Sequence, residues 1–138
     1  MTALYSTKAR VSGGRSGRAR TDDGLLDVNL ALPKAFGGTG DATNPEQLFA
    51  AGYAACFESA LRLVAGKQKA PLQDAAVTAT VELLPNGDGF RLGVGLEVET
   101  TGLDAETAEK VVATAHQICP YSNAVRGNID VALSVKAG

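Results

Sequence analysis

One run constrains the fold of this 138-residue chain more than any other: Leu48-Phe49-Ala50-Ala51-Gly52-Tyr53-Ala54-Ala55-Cys56-Phe57-Glu58-Ser59-Ala60-Leu61-Arg62-Leu63-Val64-Ala65. Ahead of it stands Asn44-Pro45-Glu46-Gln47, a well-formed helix start. Asn44 can cap, Pro45 suits the first helical position, and Gln47 sits where a capping-box partner belongs. The spacing predicts a helix from about Pro45 to Ala65, with Gly66 stopping it. Until Glu58 and Arg62 this helix is apolar nearly all round, and such a helix is buried on most faces. A chain of this length makes one compact domain, expected over residues 1–138, with an ordinary core. Covering the helix fully is difficult for so short a chain. A second subunit is expected to help.

The remaining pattern is mostly of period two. Leu4 to Val11 reads as a weak strand, followed by the Gly-rich, Arg-bearing turn Gly13-Gly14-Arg15-Ser16-Gly17-Arg18. Leu26, Val28, Leu30 and Leu32 alternate with Asp27, Asn29 and Ala31 as a half-buried strand that Pro33 ends. After Pro71, Val77, Ala79, Val81 and Leu83 lead through a turn at Pro85 to Gly89 into Leu92, Val94, Leu96 and Val98, an antiparallel hairpin. Asp104 then caps a second helix with the stripe Ala108, Val111, Val112, Ala115, Ile118 and Cys119, and Pro120 prevents its regular continuation. Ile129, Val131, Leu133 and Val135 form a last strand. Two groups of strands around two helices make the fold α+β.

Charge and composition exclude several functions. Thirteen Lys and Arg against fifteen Asp and Glu give a net charge of −2, which offers no global attraction to nucleic acid or an anionic membrane. No unbroken apolar stretch of about twenty residues is present, and the first residues lack a basic-then-apolar secretory layout. A soluble cytoplasmic protein is expected. With one His and two Cys, a structural metal site, which usually takes four N or S ligands, is not expected. A Ser-His-Asp hydrolase would have to use His116, which reads as structural or surface.

Cys56 lies inside the first helix and Cys119 at the end of the second, 63 positions away, so neither a CxxC motif nor zinc spacing is present. Two independent buried thiols, a structural disulfide and a redox pair are the readings this leaves open. A redox role needs a thiolate, and apolar burial opposes one. A nearby Arg reverses this. At about 4 Å and an effective dielectric of about 20 the attraction is on the order of 4 kcal/mol, roughly three pKa units before desolvation. A buried Arg in turn needs a carboxylate. The candidates are Arg15, Arg18, Arg62 and Arg126, with Glu46, Glu58 and Asp130, and spacing does not choose among them.

Ala42-Thr43-Asn44-Pro45-Glu46-Gln47-Leu48-Phe49-Ala50-Ala51-Gly52-Tyr53, leading to Cys56, resembles the first cysteine motif of the organic hydroperoxide resistance (Ohr) proteins of the Ohr/OsmC superfamily. Ala115-His116-Gln117-Ile118-Cys119-Pro120-Tyr121-Ser122-Asn123, with Arg126-Gly127-Asn128 after it, is similar to the second, and Gly13 to Arg18 is similar to the family's Gly-rich Arg loop. The resemblance implies an OsmC-like fold, antiparallel sheets around long central helices in an intertwined homodimer. It implies a peroxidase in which Cys56 attacks an organic hydroperoxide and becomes a sulfenic acid, and Cys119 resolves it as a disulfide. Arg15 would lower the Cys56 pKa and polarise the peroxide, and Glu46 would hold Arg15. Dihydrolipoamide or a lipoylated protein would be the reductant, with no bound metal, haem or flavin.

Two further expectations follow. Glu46 and Cys56 are ten positions apart, about 15 Å along a straight helix. Unless that helix bends, at Gly52 for instance, the site is expected at a subunit boundary, with Glu46 and Arg15 lent by the partner chain. A pocket lined by Phe49, Tyr53 and Phe57 would favour alkyl, aryl or fatty-acid hydroperoxides, since apolar substituents gain about 25 cal/mol per Å² on burial. The alternative function is a non-catalytic redox sensor using the same disulfide. Tyr121 has no catalytic role from its position alone.

Overall fold

In the computed structural model, which describes residues 1–138, the helix start at Asn44 forms on one side only. Helix α1 spans Pro45–Lys67, and Asn44 Oδ1 accepts the Gln47 backbone N–H at 2.9 Å. Gln47 does not complete a capping box; its side-chain carbonyl accepts the Thr43 hydroxyl at 2.7 Å instead. Gly66 does not stop the helix either. The chain leaves it at Lys69, in the left-handed region with φ 55, where the Lys69 N–H reaches the Gly66 carbonyl and the Ala70 N–H reaches Ala65. That paired closure satisfies two end carbonyls, so Lys69 does what glycine usually does.

The chain divides into two compact units, Met1–Leu48 and Phe49–Gly138. In the first, β1 (Ala9–Ser12), β2 (Arg18–Thr21) and β3 (Asp27–Asn29) form an antiparallel sheet in that order. Both expected strands are shorter than their alternation. Residues from Leu4 to Lys8 stay outside β1, and β3 ends at Asn29, after which Leu30 makes an isolated parallel bridge to Thr43. Ala19, Leu30 and Ala31 are the buried apolar residues of this unit, while Leu26 remains exposed.

The second unit holds the rest of α1, then β4 (Asp74–Asn86), β5 (Gly89–Thr101), α2 (Ala105–Ile118), α3 (Pro120–Val125) and β6 (Ala132–Ala137). The hairpin pairs Val77 with Val98, Ala79 with Leu96, Val81 with Val94 and Leu83 with Leu92. Its turn is only Gly87-Asp88, tighter than the stretch from Pro85 to Gly89. Pro85 stays in β4 opposite Phe90, which an edge strand tolerates. β6 pairs parallel to β5, so this sheet is mixed rather than antiparallel. The cause is connection: α2 and α3 carry the chain across before it returns, as a parallel pair requires.

The core of this unit joins Tyr53, Phe57, Leu61 and Val64 of α1 to Val94, Leu96 and Val98 of β5 and to Val111, Val112 and Ala115 of α2. Asp104 caps α2 as expected, accepting the Thr107 N–H at 2.7 Å, but Ile118 at the end of its stripe is exposed. α1 is therefore not buried on most faces in a single chain. Ala51, Ala55, Ser59 and Leu63, on the side away from the core, are open, Leu63 at 53%. By length and composition alone α1 is long and apolar enough to cross a membrane, although no uninterrupted apolar run in it reaches that length.

Candidate active site

The residues expected at the site fall into two groups. In the first unit Arg15 sits in a 3-10 turn, Gly14–Ser16, between β1 and β2. Gly13 enters that turn at φ 81, and a side chain on Gly17 would place its Cβ 1.6 Å from the Ser12 carbonyl oxygen. Only glycine fits there. The turn aims Arg15 at Glu46 in the first turn of α1. Nη1 donates to Oε1 at 2.6 Å and Nη2 to Oε2 at 3.2 Å, a two-pronged pair that fixes the plane of the guanidinium. The bond to Glu46 raises the Arg15 pKa further, so the side chain stays charged.

The other arginines are engaged elsewhere. Arg18 makes a two-pronged pair with Asp27 at 2.7 and 2.5 Å. Arg62 binds Glu58, one turn back, and Asp74 at 3.2 Å. Arg126 donates to the His116 carbonyl at 2.6 Å and to the Asn123 side chain. Two of the four candidate arginines thus hold a candidate carboxylate, Arg15 with Glu46 in two-pronged fashion and Arg62 with Glu58. The Asp130 side chain is exposed.

In the second unit the two cysteines meet. Cys119 caps the joint between α2 and α3, fully buried, with Pro120 as the first residue of α3. Its Sγ lies 3.8 Å from Cys56 Sγ, and both are free thiols. A covalent bond needs about 2.05 Å, so the pair is reduced but nearly in reach. Burial is unequal: Cys119 is enclosed and Cys56 is half-buried. Within this unit burial pushes the Cys56 thiol up, the neighbouring Cys119 adds to that, and the Tyr121 backbone N–H pulls the other way without winning. A thiolate at neutral pH needs a cation.

Aromatic residues surround the α1 side of the pair. Phe49, Tyr53 and Tyr121 form a cluster with ring centres 5.6 to 6.2 Å apart. Tyr53 and Phe57 are fully buried and Phe49 partly so. Tyr121, to which position alone gave no role, lays its hydroxyl over Gly52, where an added Cβ would be 2.6 Å away. Gly52 leaves α1 uninterrupted; its lack of a side chain makes room for that ring. Of the two readings of His116, the structural one fits this half-buried residue. Its Nδ1 is 2.8 Å from Ser122 Oγ, which is 2.6 Å from the Tyr53 hydroxyl. Sequence reasoning missed Ser122, although its place three residues after Cys119, facing the same side of a helical turn, was the available signal.

Known proteins resemble this chain along nearly its whole length. Residues 38–134 match the family model described as OsmC-like protein. The organic hydroperoxide resistance protein-like 2 of Staphylococcus epidermidis is 49% identical over 138 residues, covering 98% of this chain and 97% of that protein. The organic hydroperoxide resistance protein OhrB of Bacillus subtilis is 46% identical over 136 residues, 97% of this chain and 99% of that one. The crystal structure of an organic hydroperoxide resistance protein from Legionella pneumophila superposes with a TM-score of 0.95 at 57% identity, covering 98% and 99% of the two chains. This α+β chain, with its paired thiols, belongs to the OsmC/Ohr family.

Proposed function

We propose that this protein is a thiol peroxidase that reduces organic hydroperoxides to alcohols. The observation that carries the reading is the pair of free sulfurs at 3.8 Å with unequal burial. The more accessible thiol can meet a substrate; the enclosed one can meet only its neighbour. The family's named members, organic hydroperoxide resistance proteins, support the substrate class.

Ionised Cys56 attacks the peroxide oxygen distal to the organic group. The O–O bond breaks, the alkoxide takes a proton and leaves as alcohol, and Cys56 becomes a sulfenic acid. Cys119 then attacks that sulfur. An S–S bond forms, the S–O bond breaks, and the hydroxyl leaves as water with the thiol proton. Dihydrolipoamide, free or carried on a lipoylated protein, reduces the disulfide by exchange. Arg15, held in plane by Glu46, stabilises the thiolate and polarises the peroxide. Phe49, Tyr53 and Phe57 give the surroundings an apolar character that favours alkyl, aryl and fatty-acid hydroperoxides. The working form is a cytoplasmic homodimer of one functional domain per chain, with the open face of α1 covered by the partner, Arg15 and Glu46 lent across the boundary, and no bound cofactor.

Steady-state consumption of cumene hydroperoxide with dihydrolipoamide tests the reading. The wild type turns over many times, Cys56→Ser not at all, and Cys119→Ser oxidises once without cycling through a disulfide. Full activity in Cys56→Ser refutes the assignment.

A further inference from the structure

Three helices of the second unit meet on one hydroxyl. Ser122 Oγ of α3 is 2.6 Å from the Tyr53 hydroxyl of α1 and 2.8 Å from His116 Nδ1 of α2. Each of these residues stands three positions from a cysteine: Tyr53 before Cys56, His116 before Cys119, Ser122 after it. Tyr53 and Ser122 are fully buried, and His116 is half-buried. The arrangement satisfies all three in one direction. Tyr53 donates to Ser122, and Ser122 donates to a neutral imidazole. Arg126 holds the backbone at the His116 carbonyl, and the Phe57 ring lies 6.5 Å from the imidazole.

We infer that Tyr53, Ser122 and His116 form a polar clasp that positions Cys119 against Cys56 for disulfide closure, with the imidazole as its pH-sensitive member. The inference rests on the peroxidase reading above. Closure shortens the sulfur separation from 3.8 Å to about 2.05 Å, with Cys119 at the joint where Pro120 interrupts the helix. The clasp ties both sides of that joint to α1, one turn from Cys56. It moves no electrons itself; Cys119 still gives its proton to the departing hydroxyl.

Protonation reverses the clasp. A charged imidazole donates from both nitrogens, so Ser122 turns its proton to Tyr53, whose own O–H then has no acceptor. Burial first, and then the Arg126 charge, hold the His116 pKa below its ordinary value. The groups around the imidazole are Tyr53 and Phe57 from α1, Ser122 from α3, Arg126 beyond it, and Cys119 on its own chain side; β6, packed on α2, carries one ionisable residue, the exposed Lys136.

The test follows disulfide closure after one equivalent of cumene hydroperoxide without reductant, by alkylation quench and mass measurement, from about pH 5 to 8. The wild type closes with an acid limb below the ordinary imidazole range. Ser122→Ala oxidises Cys56 at the wild-type rate but closes about tenfold more slowly, equivalent to ~1.4 kcal/mol of barrier. His116→Asn, whose Oδ1 replaces the Nδ1 acceptor, closes near the wild-type rate and loses the acid limb, while His116→Leu is slow at every pH. Should Ser122→Ala not fold, the two His116 variants decide. Wild-type closure in Ser122→Ala, or an unchanged acid limb in His116→Asn, overturns the clasp. Failure of the peroxidase reading is distinct: wild-type Cys56 is then not oxidised at all.

Discussion

Replacing Arg15 by alanine is the perturbation that bears hardest on the proposed chemistry. A free thiol titrates at about 8.5, and burial pushes Cys56 higher. Half ionisation at pH 7 therefore needs at least about 1.5 pKa units, ~2 kcal/mol, from an outside charge. A guanidinium at about 4 Å and an effective dielectric of about 20 provides on the order of 4 kcal/mol. The Arg15 side chain is 40% exposed, however, so solvent screening discounts that figure, and halving it leaves roughly the 2 kcal/mol required. The margin is thin. Arg15→Ala removes that charge, and burial then holds the Cys56 thiol above its ordinary range and largely protonated at pH 7.

The measurement is clean in a Cys119→Ser background, because Cys56 is then the sole thiol. Iodoacetamide alkylation against pH reads its titration, and stopped-flow oxidation by cumene hydroperoxide reads its reactivity. Arg15→Ala should move the alkylation midpoint upward and slow oxidation at pH 7 by at least about tenfold. Glu46→Gln keeps the guanidinium charge but loses the carboxylate held at 2.6 and 3.2 Å, so its midpoint should fall between the two. Identical midpoints in wild type and Arg15→Ala would refute the idea that this arginine ionises the sulfur.

Two other outcomes are expected. Coexpressed Arg15→Ala and Cys56→Ser chains should recover about a quarter of wild-type turnover, because half of the dimers are mixed and each of those keeps one complete site if Arg15 acts across the two-fold; turnover no higher than in either parent would place Arg15 and Cys56 in one chain. Gly17→Ala puts a Cβ 1.6 Å from the Ser12 oxygen, so the turn carrying Arg15 must open. Its alkylation profile should shift as in Arg15→Ala, and a wild-type profile would show that the turn absorbs a methyl group.

Much of the fold was legible because its signals are local. Asn44 and Pro45 start α1, Asp104 starts α2, and the alternation from Val77 to Val98 sets the hairpin register. What misled were residues whose effect depends on partners. Gly66 lies in the last turn of α1 and breaks nothing, because Lys69 takes the left-handed position. Pro85 reads as turn residue but is tolerated on an edge strand. The direction of β6 follows from where α2 and α3 deliver the chain, which period-two alternation cannot encode. The apolar circumference of α1 reads as burial, yet one chain covers only the side bearing Tyr53, Phe57, Leu61 and Val64.

The candidate site was legible in kind but not in contact. Residue type made the cysteines notable, yet 63 positions of chain separate them, and pattern reasoning gives neither their 3.8 Å approach nor which is enclosed. Helix geometry explains the second point. The core side of α1 passes through positions 53, 57, 60, 61 and 64, a spacing of three and four. Cys56 stands one residue before Phe57, on the shoulder of that face, and remains half-buried. Cys119 instead ends a helix whose buried stripe runs Ala108, Val111, Val112 and Ala115, and is itself fully buried, with Pro120 opening the next helix. A one-residue change of phase along α1 would bury both sulfurs, and a protein with two enclosed thiols would have no nucleophile to offer a hydroperoxide. The unequal burial on which the proposed division of roles rests is thus written in helical phase rather than in the residues themselves.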